Sequence, residues 1–152
     1  MEVWVKSFQT WEACDSFSMK LFAHSPYAIE KALEWSYREP EFEKRAGFAT
    51  MAAFCMANKK ATNEVFEPFF DAIKREAWDN RQYVRKSINW ALRNMGKRNL
   101  DLNYRAIDTA HALLQMRNKT ATWIANNALK ELTDDNVRRS DYPRSIYRPK
   151  QK

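Results

Sequence analysis

Apolar residues recur along the chain at three- and four-residue intervals, the spacing that lines side chains up on one face of an α-helix. From Thr10 to about His24 the stripe is Trp11, Cys14, Phe17 and Leu21. Ser25-Pro26 reads as a helix start, with proline at a first-turn position. The helix it opens runs through Ala28, Ala32, Leu33 and Trp35 to about Arg38, and Glu39-Pro40 marks the next break. Phe42 to Met56 is apolar nearly all round (Ala46, Ala49, Met51, Ala53, Phe54, Cys55), the pattern of a buried helix, and Asn58-Lys59-Lys60 closes it. Residues 62–77 turn Val65, Phe66, Phe69, Phe70 and Ile73 inward. Asp79 or Asn80 is placed to cap a helix from Arg81 to about Met95, which Gly96 ends. Two further helices cover about Leu102–Gln115 and Thr120–Leu132. After Asp134 the pattern stops. An all-α domain over residues 1–134 is expected, followed by a basic disordered tail over 135–152.

A weak internal repeat runs through these helices. Phe42-Glu43-Lys44-Arg45-Ala46 aligns with Tyr83-Val84-Arg85-Lys86-Ser87 at an offset of 41 residues, and Trp123-Ile124-Ala125 follows about 40 further on without the cations. Helix pairs recurring every ~40–47 residues mark HEAT and armadillo arrays, whose stacked units form a curved surface. A curved HEAT-like array with a basic concave face is therefore expected, against the plainer alternative of an irregular bundle.

Composition narrows the class. Two Gly and five Pro are too few for a turn-rich β-fold. Two cysteines, Cys14 and Cys55, cannot build a disulfide scaffold, which points to a reducing, cytoplasmic setting. No apolar run approaches the ~18 residues of a membrane span. The acidic N-terminus MEVWVKSFQTWEACD has no apolar core of a signal peptide.

The net charge of +7 is unevenly placed. Residues 1–80 are net negative. Residues 81–98 carry Arg81, Arg85, Lys86, Arg93, Lys97 and Arg98 with no acid, and residues 137–152 carry Asp141 as their one acid among many cations. Two basic blocks on a mildly acidic body fit an anionic polymer partner. Solvated surface charge and a solubilising tail fit the same numbers.

Three constellations bear chemistry. Trp11 and Asp15 lie four residues apart and share a helix face. An indole beside a carboxylate suits a cationic or electron-poor ligand; by spacing alone, a core tryptophan with an exposed aspartate is the favoured reading. Lys44-Arg45 opens an otherwise apolar helix, where a cation opposes the macrodipole. Arg45 therefore needs a partner: Asp15, a phosphate, or the neighbouring Glu41 or Glu43. Lys86, Trp90 and Arg93 share a third face, an aromatic among cations as nucleic-acid surfaces carry, or a core tryptophan among snorkelling cations. His24 and His111 have no companions at metal-ligand spacing. There is no Gly-rich phosphate loop, nucleophile elbow or Cys-His signature, and both cysteines lie in apolar helices where they are inert. No metal or cofactor is expected.

Together these segments resemble the AlkD-type DNA alkylation repair enzymes, HEAT-like-repeat DNA glycosylases. Trp11-Glu12-Ala13-Cys14-Asp15 is similar to the family's Trp-Asp-x-x-Asp segment, and Phe42-Glu43-Lys44-Arg45-Ala46 to its aromatic-x-x-Arg-Ala helix start. Lys86-Ser87-Ile88-Asn89-Trp90-Ala91-Leu92-Arg93 resembles its Lys-Ala-Ile-x-Trp-x-Leu-Arg helix, with Ser87 for alanine. The resemblance implies excision of cationic N3- and N7-alkylated purines from duplex DNA without base flipping, by a monomer. It implies Asp15, Trp11, Trp90 and Arg45 as active residues converging on one concave face, with Lys44, Arg81, Arg85, Lys86, Arg93, Lys97 and Arg98 on the DNA backbone. Family members carry further repeat ahead of the Trp-Asp segment, which here begins at Trp11, so a shortened N-terminal arc is expected. A noncatalytic helical-repeat DNA-binding or scaffold module is the alternative from another class.

Overall fold

The computed structural model describes residues 1–137, and every regular element among them is helical. In chain order these are α1 (Glu2–Ser7), α2 (Trp11–Lys20), α3 (Ala28–Ser36), α4 (Glu41–Ala57), α5 (Glu67–Glu76), α6 (Gln82–Gly96), α7 (Leu100–Gln115) and α8 (Lys119–Leu132). Short 3₁₀ turns at Phe22–His24 and Asn63–Phe66 lead into α3 and α5. No described helix is long and apolar enough to cross a membrane.

The helices alternate between two layers. α2, α4, α6 and α8 pack side by side in that order, and α3, α5 and α7 form the second layer. The main core lies between them, built from Phe48, Met51, Phe66, Phe69, Phe70, Ile88, Leu92 and Ile124 among others. A smaller cluster of Val5, Phe8, Cys14, Phe22, Trp35 and Ala46 closes the N-terminal end. Buried amides fix the crossings: Asn94 donates to the Ala52 carbonyl at 3.2 Å, and Asn89 to the Ile124 carbonyl at 3.1 Å. The positions paired by the internal repeat meet in space, with the Phe42 and Tyr83 rings 5.6 Å apart.

Three local features depart from the sequence expectations. The helix α1 has no counterpart in the apolar stripe. Six residues are too few to hold a helix alone; it is tied down through Glu2, which accepts from Trp35 Nε1 at 2.9 Å and Arg38 Nη2 at 2.7 Å. Pro26 falls in a turn before α3, because Ser25 Oγ accepts the Tyr27 N–H at 3.1 Å. Gly96 is not a left-handed helix terminus, since α6 runs through it and Lys97 keeps right-handed backbone. Glycine is required there by close approach: a Cβ would sit 2.7 Å from both Leu132 methyls and 2.9 Å from Ala106 Cβ. Gly47 answers a similar need in α4, where a Cβ would lie 2.6 Å from the Ser36 nitrogen.

The described body ends in a turn in which the Val137 N–H reaches the Asp134 carbonyl at 3.0 Å and the Val137 side chain is buried. The rest of the expected basic tail lies outside the described residues.

Candidate functional site

The N-terminal halves of α2, α4 and α6 meet at one arginine. Thr10 caps α2 by accepting the Ala13 N–H at 3.3 Å, which sets Trp11 at the helix start and Asp15 one turn in. Arg45, in the second turn of α4, donates from Nε to Asp15 Oδ1 at 3.1 Å and from Nη2 to Oδ2 at 2.7 Å. Its Nη1 donates to the Tyr83 carbonyl at 2.7 Å, and the Trp11 ring centroid lies 5.8 Å from its guanidinium carbon. Arg45 thus finds Asp15 rather than Glu41 or Glu43; the latter is engaged by Arg38 at 2.9 Å. Removing a charge from water is costly, and two-point contact with a carboxylate is the geometry that offsets it.

Arg45 joins Trp11, Gln82, Tyr83 and Lys86 in lining a cleft of about 300 Å³, and Asp15 is not among its lining residues. Trp11 is 42% exposed, whereas Arg45 is 6% exposed. Asp15 is largely covered, its side chain 14% exposed. This inverts the alternative of a core tryptophan beside an exposed aspartate. Chemically, the cleft offers an indole face, the Arg45 guanidinium and the Lys86 cation, with the Asp15 carboxylate held in fixed orientation on Arg45.

Trp90 stands apart from this group. It is partly buried against the main core, and no hydrogen bond or ring contact joins it to Trp11, Asp15 or Arg45 among the described residues. It follows Lys86 by four residues in α6, so it lies on the same face of that helix as the cleft rim, one turn on. Three of the four expected active residues therefore converge directly, and the fourth shares a helix face only with Lys86 of the cleft lining.

The expected DNA-facing cations divide more sharply. Lys44 is not a surface residue: it is 1% exposed, with Nζ 2.7 Å from Glu76 and 3.4 Å from Asp79. Arg98 is also buried, donating to the carbonyls of Cys55 at 2.6 Å and Ala61 at 3.0 Å. Both tie helices and loops together, which takes them off the DNA-facing list. Arg81 is folded onto Asp79, with Nη2 2.6 Å from Oδ2, and onto the Glu39 carbonyl at 2.6 Å. Arg93 and Lys97 converge on Glu131 of α8 at 3.1 and 2.8 Å. Burial opposes ionisation of Glu131, but Lys97 and Arg93 overcome it and hold its carboxyl below the usual range. The run from 81 to 98 is free of acids in sequence, yet Asp79 and Glu131 neutralise much of it in space. Lys86 is exposed, and Arg85 stacks on Trp123 with its guanidinium carbon 4.8 Å from the ring centroid.

Sequence patterns do not single out Gln82, the Tyr83 carbonyl or Glu131. Tyr83 carries a signal as the repeat partner of Phe42, and Asp79 carries one as a candidate helix cap, though α6 starts from Arg81 with no side-chain cap and Asp79 accepts from Arg81 instead; Glu131 carries none, because it comes from α8. Cys14 and Cys55 are free and buried, and burial pushes each thiol up to about 12, which accords with inert side chains. His24 and His111 are exposed, and no cluster among the described residues groups three or more histidine, cysteine or carboxylate side chains.

Residues 1–132 match the family model described as DNA alkylation repair enzyme. No curated protein and no solved structure matches the chain.

Proposed function

The chain belongs to the DNA alkylation repair enzyme family, and from that premise we propose that it is an AlkD-type glycosylase releasing cationic N3- and N7-alkylated purines from duplex DNA without base flipping. The observation that carries this reading is the Asp15 carboxylate, oriented on both oxygens by Arg45 beneath the exposed Trp11. A carboxylate repels phosphate, so its place beside a DNA-binding surface fits a site where positive charge develops during the reaction. The alternating layers of α2, α4, α6, α8 and α3, α5, α7 support the HEAT-like architecture that such a curved duplex-binding surface needs.

Alkylation at N3 or N7 makes the purine a cation and a good leaving group. The bond from C1′ to the base breaks with its electron pair going to the base, which departs neutral. The sugar passes through an oxocarbenium-like state, as in glycoside hydrolysis. Asp15 faces that growing positive charge and orients the water whose oxygen adds to C1′, one of its protons passing to solvent. Trp11 packs on the sugar and backbone beside the lesion, and Trp90 extends that surface along α6. Arg45 has five N–H donors, of which three are engaged by Asp15 and Tyr83. The remaining two hold a flanking phosphate without releasing Asp15. Lys86 on the rim holds another.

One observation favours the noncatalytic reading: the Asp15 charge is already countered by Arg45. Base release from methylated duplex DNA, parent against Asp15→Asn, decides between the two.

A further inference from the structure

At the C-terminal ends of α2 and α4, away from the Asp15 cleft, lies a second cavity. It measures about 190 Å³ and is lined by Met19, His24, Ala53, Met56 and Ala57. Met19 belongs to the last turn of α2, His24 to the 3₁₀ turn that follows, and Met56 to the last turn of α4. Ala53 and Ala57 sit one turn apart on α4 and add only methyls. The functional groups of the lining are therefore two thioethers and one imidazole. None of these residues lines the cleft at Trp11.

The three side chains come from separate elements that the fold locks together. Thr50 Oγ1 donates to Ser18 Oγ at 3.2 Å, which ties α4 to α2 one residue before Met19. Asn58 Nδ2 donates to the Ala23 carbonyl at 2.8 Å, which pins the turn carrying His24 to the end of α4. Phe22 and Ala23 are buried, so that turn is anchored from beneath. Met19 and His24 are themselves exposed, and neither ring nitrogen of His24 has a hydrogen-bond or ion-pair partner among the described residues.

Thioether sulfur is a soft, uncharged donor that selects Cu(I). Zinc draws on thiolate, imidazole and carboxylate, and calcium and magnesium on oxygen; this lining supplies one imidazole and neither thiolate nor carboxylate. Two sulfurs and one nitrogen bring no negative charge, which suits a monovalent ion. The local field has the matching sign, because α2 and α4 both end here and the carbonyl end of a helix favours a cation. We propose that Met19, His24 and Met56 form a Cu(I) site at the C-terminal ends of α2 and α4. The site goes beyond the repair reading and is independent of it.

The test is anaerobic competition for Cu(I) between the protein and bicinchoninate, read from the colour of the bicinchoninate complex. The parent withdraws one equivalent. Met19→Leu, Met56→Leu and His24→Gln each weaken binding more than about tenfold, since losing a group outside the ligand set already costs about 10–100-fold. Leucine replaces methionine at nearly constant volume, and urea midpoints near that of the parent show that the variants fold. Met116→Leu, at an exposed methionine outside the cavity, leaves the affinity unchanged. Ag(I), a redox-inert ion of the same charge, shifts the methyl resonances of Met19 and Met56 and the His24 ring resonances together in the parent, with Cys14 and Cys55 unmoved. A parent that cannot compete for Cu(I) overturns the site. So does one-equivalent binding that survives all three substitutions, or Ag(I) shifts centred on Cys14 or Cys55. Release of 7-methylguanine stays at the parent level in the three variants, so the metal site and the repair reading fail separately.

Discussion

Arg45 closes on both carboxylate oxygens of Asp15 across 30 residues of chain, at 3.1 and 2.7 Å. Because the same guanidinium also holds the Tyr83 carbonyl, one side chain fixes the relative positions of α2, α4 and α6 at the cleft. Orientation of the carboxylate and docking of three helices are therefore the same interaction.

That identity predicts strong coupling. Asp15→Asn and Arg45→Gln, measured singly and together by urea unfolding, should be non-additive by about 1–3 kcal/mol, the range for residues in one buried network. Asp15→Ala should destabilise more than Asp15→Asn, because the amide oxygen still accepts from Arg45 and a methyl does not.

Lys44 and Lys86, equal in charge and close to the site, should behave oppositely. Lys44→Met takes one buried cation from Glu76 and Asp79, which keep Arg75 and Arg81, and should cost about 1–3 kcal/mol of stability, with the salt dependence of DNA binding unchanged. Lys86→Gln should leave unfolding unchanged and lower the salt slope by about 0.9. Chemical denaturation and a salt titration on the two variants check both halves.

The helices were legible in the sequence because each buries one stripe, and α4 announced itself by being apolar nearly all round. The need of Arg45 for a partner was legible too, from a cation at the start of an apolar helix. The fate of the basic run was not. Lys97 and Arg93 end on Glu131, and Arg81 turns back to Asp79, pairings set by helix packing and loop closure rather than by composition. The six-residue α1 was illegible for a related reason, since its stability comes from Trp35 and Arg38 more than 30 positions away. Spacing sets Trp90 one turn from Lys86 on α6, but does not say how far its ring reaches toward Asp15, and the ring packs partly against the main core.

The two glycines differ in what surrounds them. Gly96→Ala pushes a methyl against the mobile ends of Leu132 and should cost about 1–3 kcal/mol, partly relieved by Leu132→Val. Gly47→Ala meets the Ser36 nitrogen at 2.6 Å and the Ala32 carbonyl at 2.8 Å, backbone atoms that cannot rotate away. It should be the more damaging of the two, with no single side-chain substitution restoring it. Urea midpoints of the three variants provide the comparison.

Acid should loosen the N-terminal end. Burial opposes ionisation of Glu2, but hydrogen bonds from Arg38 and Trp35 prevail and hold its carboxyl at about 2 against an ordinary 4.5. A carboxyl lowered in the folded state stabilises fully above its ordinary value, and that contribution is lost as pH falls toward the folded one. Glu2 is partly exposed, so solvent screens the effect. Glu2→Gln should speed hydrogen exchange in residues 2–7 at neutral pH, and exchange there should respond less to pH between about 4.5 and 2 than in the parent.

The central claim is that Asp15 meets positive charge on the sugar. It is tested most directly by 7-methylguanine release from methylated duplex DNA at saturating protein, parent against Asp15→Asn, with duplex affinity measured alongside. The account predicts release by the parent, a rate about 10²–10³-fold lower for Asp15→Asn, and affinities within a few-fold of each other. Equal release by the two proteins, or none by a parent that binds the duplex, would contradict it.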